Sequence, residues 1–146
     1  MKKFIVLLAL ISTSVSALTL KEKKQLADWQ TGLDAVDSSE YYRGHFKTKC
    51  GYDMPLKLDE KFVTPFMEAN TSAAAYCDAA RSSMSSMCDD KMSKEAISKK
   101  IKSISCKLGK PEEASLKIAG STLEFTVGLG AANLDQKVRE FLENNL

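Results

Sequence analysis

The sequence has a single histidine, His45, and that scarcity removes every multi-histidine metal site and the paired histidines of zinc hydrolases. Its four cysteines include no C-x-x-C pair, which argues against zinc knuckles and thioredoxin-like redox chemistry. No serine stands in a G-x-S-x-G or S-x-x-K frame, so no nucleophile is visibly positioned. No aromatic residue occurs between Tyr76 and Phe125, so the lysine-rich segment 91–110 has no ring on which a base could stack. After residue 17 no apolar run approaches the length of a membrane span. Together these gaps argue against an enzyme and against nucleic-acid recognition, and they call for no cofactor.

What is present begins with a leader. Met1-Lys2-Lys3 is basic, Phe4 to Ile11 is an unbroken apolar run, and Val15 and Ala17 fit the small-residue pattern before a signal-peptidase cut. Eight apolar residues rise about 12 Å as a helix, against roughly 30 Å of hydrocarbon. The expectation is a signal peptide over 1–17, cleaved after Ala17, and one domain over 18–146. The destination is then the periplasm or the medium, and the Lys-Lys start favours a bacterial source. The leader holds two lysines and no acid, so 19 of the 21 basic residues remain against 19 acidic ones. The mature chain is neutral, and a general attraction to polyanions disappears with the leader.

Cys50, Cys77, Cys88 and Cys106 in an exported chain read as two disulfides. Cys77 and Cys88 lie eleven residues apart on one expected helix, about 16 Å along its axis. A disulfide needs Cα atoms within roughly 7 Å, so these two do not pair with each other. The shorter loops favour Cys50–Cys77 with Cys88–Cys106.

Periodicity predicts an α+β domain. A capping box at Thr19 and Glu22 opens a helix over about 20–37, with Trp29 on its apolar stripe. Tyr42, Phe46, Cys50, Tyr52, Met54, Leu56 and Leu58 all have even numbers, which reads as strand within 41–58. Asp59 or Thr64, before Pro65, can open a short helix through Glu68. Ala73, Cys77, Ala80, Met84 and Met87 form the stripe of a helix over about 71–88, Asp89-Asp90 reads as a break or cap, and Ser93 can cap another helix carrying Ile97 and Ile101. Strands follow over 103–108, 115–119 and 122–127, the last two as a hairpin around Gly120-Ser121. Asn133 can cap a final helix with Leu134, Val138, Phe141, Leu142 and Leu146 inside. No βαβ alternation is evident, so the expectation is a small antiparallel sheet packed with four or five helices.

Candidate sites are few. Arg43, His45, Lys47 and Lys49 would share one basic strand face that could contact an anion or carboxylate. Met84 and Met87, with Met92 near, could offer thioethers to Cu(I), although they also complete a core stripe. Gly128-Leu129-Gly130-Ala131-Ala132-Asn133 resembles a dinucleotide loop, but its third glycine is Asn133 and too little chain follows for a second parallel strand. The resulting expectation is an exported, non-catalytic binding domain for a protein, peptide or cell-envelope component. The alternatives are a small hydrolase assembled only in three dimensions, and a methionine-based copper protein.

Overall fold

The computed structural model describes residues 19–21, 23, 24, 27, 43–58, 61, 65, 66, 68, 69, 71 and 73–146. The expected leader and Trp29 lie outside these residues. So does most of the first expected helix, of which residues 20, 21, 23, 24 and 27 are described and are helical. Eight elements follow in chain order: α1 (His45–Cys50), β1 (Leu56–Leu58), α2 (Ala73–Met87), α3 (Lys91–Lys100), β2 (Ser103–Leu108), β3 (Ala114–Ala119), β4 (Thr122–Val127) and α4 (Leu134–Asn145). The class is α+β, and these eight elements are a four-stranded sheet and four helices.

The sheet order is β1-β2-β4-β3. β1 pairs parallel with β2, β2 parallel with β4, and β3 antiparallel with β4. The sheet is therefore mixed, not antiparallel. Alternation reports only that one strand face is buried and is blind to the direction of the neighbour. The one local pairing, the β3–β4 hairpin, has Ala119 opposite Thr122 around a two-residue turn. Gly120 holds φ +61° while Ser121 has no positive φ, which is the backbone of a type II′ connection. The parallel β1–β2 pair is closed by a crossover through α2 and α3, so a strand–helix–strand unit exists after all. Residues 109–113 then carry the chain from β2 past β4 to the outer position of β3.

Over residues 43–52 the even-number pattern is not a strand. Phe46 and Cys50 are both buried, and a spacing of four satisfies a helical face as well as an extended one. Gly51, at φ +88°, ends α1 and donates its N–H to the Lys47 carbonyl. Extended alternation holds only later, at Met54, Leu56 and Leu58, of which the last two belong to β1.

Ile104, Cys106, Leu123, Phe125 and Val127 point from β2 and β4 to the helix side and are all but inaccessible. Helix α2 lays Ala73, Cys77, Ala80 and Met84 on them, and α4 adds Val138 and Leu142. Each fully buried large aliphatic side chain contributes about 1.5–3 kcal/mol. Of the cap candidates before α3, Asp90 and not Ser93 caps the helix, accepting the Ser93 N–H at 2.7 Å. Asn133 precedes α4 in the left-handed region, at φ 56°, and its side chain makes no cap bond.

The disulfides join Cys50 to Cys88 and Cys77 to Cys106. Cys77 and Cys88 indeed do not pair, but the preferred connectivity is overturned. The two pairings differ in loop-closure entropy by less than about 1 kcal/mol, so loop length could not decide between them. Position decides. Helix α1 lies against the C-terminal end of α2, beside Cys88, whereas Cys106 faces the earlier Cys77 from β2.

Candidate functional site

The four basic residues expected on one strand face do not share a face. Arg43 and Lys47 are four residues apart and His45 and Lys49 are four apart, so the helical turn directs the two pairs to different sides. Arg43 and Lys49 are each engaged by a carboxylate. Arg43 clasps Asp53 with two N–H donors at 2.9 and 3.0 Å, and this holds the Asp53 carboxyl below its ordinary range. Lys49 Nζ donates to Asp89 Oδ1 at 2.5 Å. His45 and Lys47 are exposed. All four cysteines are in disulfides, so no thiol remains to work with His45.

Met84 is fully buried in the core. Met87 is half-buried and lines a cavity of about 290 Å³ with Met92, Ala96 and Leu142. The two methionines of the proposed thioether pair therefore do not face a common opening. In the glycine-rich loop, a Cβ on Gly128 would stand 1.7 Å from the Lys110 carbonyl oxygen, and Gly130 sits at φ +80°. Close backbone packing and a left-handed turn account for both glycines without a phosphate.

Sequence reading missed a buried ion pair. Asp78 and Arg81, one helical turn apart on α2, approach to 3.3 Å at under a tenth exposure. Arg81 Nη2 also donates to the Met54 carbonyl at 2.8 Å, which fastens the chain entering β1 to α2. Charges at i and i+3 read from sequence as a solvated face, and only tertiary packing makes them internal.

A groove of about 740 Å³ lies beside the outer strand β3, closed by the ends of α3 and α4. Leu116, Lys117 and Ile118 line it from β3, Lys99 and Lys100 from α3, and Phe141 from α4. Successive strand residues point to opposite faces. Three consecutive ones can line a single cavity only along the strand's edge, where its backbone is.

The backbone groups on that edge follow from the pairing. Gly128 N–H donates to the Glu113 carbonyl at 2.8 Å, and Glu113 stands opposite Gly128 by the register. Hydrogen-bonded antiparallel pairs alternate with unbonded ones. Ser115, Lys117 and Ala119 therefore bond to β4, while the N–H and C=O of Leu116 and Ile118 point outward. The other side of β4 agrees, since the Val127 carbonyl accepts from Gly109 next to β2. Among the described residues no backbone bond from outside the sheet reaches Leu116 or Ile118.

The groove thus combines two outward N–H groups and two outward carbonyls, an apolar wall from Leu116, Ile118 and Phe141, and three ammonium groups. Its traces in the sequence were the lysine-rich run 91–110 and the Leu116–Ile118 alternation, but nothing local puts the end of α3 beside β3. No family model matches the chain, and no curated protein or solved structure is found to be similar to it.

Proposed function

We propose that the protein is an exported, non-catalytic binding domain, and that it receives a segment of another protein or a peptide along the open edge of β3. The observation that carries this reading is the groove itself, in which consecutive residues Leu116, Lys117 and Ile118 offer strand backbone beside an apolar wall. A strand edge of this kind is a ready template for an added strand, and main-chain hydrogen bonds supply affinity without requiring a particular sequence. The groove's volume lies in the range of ligand-binding clefts. Two disulfides, and the lack among the described residues of a helix able to cross a membrane, are compatible with export.

A photo-crosslinking residue placed at Lys117, and separately at Lys57 on the opposite edge strand, tests this in the source cell. The expected result is a discrete adduct with one protein or peptide from position 117 and none from position 57. No adduct at 117, or the same adduct from both edges, overturns the reading.

A further inference from the structure

We propose that the occupant of the groove is an extended acidic segment that joins the sheet beside β3 as a fifth strand. This inference rests on the β3-edge reading above and adds the chemistry of the partner.

Three of the groove's lining side chains are lysines and none is acidic. Lys99 and Lys100 close α3, and Lys117 projects from β3 to the polar side of the sheet. Two helices end at the groove, and each C-terminus carries a partial charge of roughly −0.5. Lys100 Nζ already meets one of them, donating to the Asn145 carbonyl at 3.0 Å. Three full positive charges outweigh the sum of these partial ones. Lys117 stands opposite Glu124 in the register; the Glu124 carboxylate is bound by Lys107 at 3.0 Å and feels the Lys117 charge only at longer range.

The same lysines disfavour a second copy of this chain. Pairing β3 with its own counterpart would bring six ammonium groups to one interface with no carboxylate among the lining residues. A lysine on an edge strand is a common protection against self-pairing. Here it blocks the chain's own copies while leaving the edge attractive to a carboxylate-bearing strand.

Side-chain alternation then defines the partner. A strand bonded to Leu116 and Ile118 places every second side chain on the helix side, against Leu116, Ile118 and Phe141. The intervening side chains fall on the polar side, next to Lys117. An acidic end near the Gly120-Ser121 turn comes within the field of Lys99 and Lys100. The fitting segment therefore alternates apolar and acidic residues.

Three end-capped octapeptides test this with the intact, oxidised protein: alternating valine and glutamate, valine and lysine, and valine and serine. Binding is followed by calorimetry and by the backbone amide signals of Leu116 and Ile118. The glutamate peptide is expected to bind, to shift and protect those two amides, and to weaken as salt is raised. The variant K99E/K100E/K117E, with its fold checked by near-UV circular dichroism, should bind that peptide at least about tenfold more weakly and prefer the lysine peptide. Equal binding of the serine and glutamate peptides at the same amides overturns the acidic preference and leaves the edge reading standing. Undiminished binding of a glutamate peptide N-methylated at alternate residues overturns strand addition. If no peptide moves the two amides, both readings fail. A β3-paired dimer in sedimentation would make a second copy the occupant and overturn the proposal.

Discussion

Removing either disulfide should destabilise the protein by a similar, calculable amount, mostly through the unfolded chain. The bridges span sequence separations of 38 residues for Cys50–Cys88 and 29 for Cys77–Cys106. The chain-entropy relation gives about 3.9 and about 3.6 kcal/mol for these loops at 25 °C. Both pairs are almost completely buried, so alanine is the replacement of choice; serine would add a buried hydroxyl. The lost sulfur packing adds about 1 kcal/mol more to each. The loops overlap between Cys77 and Cys88, so removing both bridges should cost less than the sum. C50A/C88A and C77A/C106A, unfolded in urea without reductant, should each lose about 4–5 kcal/mol and agree within about 1 kcal/mol. The denaturant slope should rise, because the released unfolded chain exposes more surface. A loss below about 1 kcal/mol in either variant, with an unchanged slope, would refute the loop-entropy reasoning. A Cys50–Cys77 cross-link in a non-reducing peptide map would refute the connectivity.

Gly128→Ala should lower stability by about 1–3 kcal/mol, because the new methyl group collides with the backbone carbonyl of Lys110 and pushes loop 109–113 off β4. A thermal midpoint unchanged from the parent would contradict that packing. Phe125→Ala, at the centre of the sheet, should cost about 3–5 kcal/mol in the same urea assay, and a loss under about 1 kcal/mol would remove Phe125 from the core. Asp53, Asp90 and Glu124 are all held below their ordinary pKa values, first of all by hydrogen bonds from Arg43, the Ser93 N–H and Lys107 respectively. Their contribution to stability is full above the unfolded-chain values, about 3.9 for Asp and 4.3 for Glu, and is lost as pH falls through the lower native ones. Carboxyl titration by NMR should give midpoints below those values and return Asp53 towards normal in R43Q; midpoints at or above them would contradict the assigned partners.

Several elements were legible in the sequence because their determinants are local. The β3–β4 hairpin announced itself through Gly120-Ser121 between two alternating runs. Helix α4 showed Val138, Phe141 and Leu142 at helical spacing, and α2 showed Ala73, Cys77, Ala80 and Met84. What failed was non-local or degenerate. Phe46 and Cys50 fit a period of two and a helical turn equally well, and α1 is the turn. The parallel β1–β2 and β2–β4 pairs depend on a crossover of two helices that no short window contains. The disulfide pairing followed from where α1 docks on α2, not from loop length. The same limit explains the site. Lys99, Lys100 and Lys117 were visible as lysines, but their convergence on one edge is set by the ends of three elements. The basic face of Arg43, His45, Lys47 and Lys49 rested on the strand that is in fact α1.

Amide hydrogen exchange along β3 in the free protein tests the open edge most directly, since it needs no ligand. The amides of Ser115, Lys117 and Ala119, bonded to β4, should exchange slowly, while those of Leu116 and Ile118 should exchange close to the rate of exposed backbone. Uniform protection of all five, or protection of Leu116 and Ile118 alone, would show that this edge is already paired and would contradict the account.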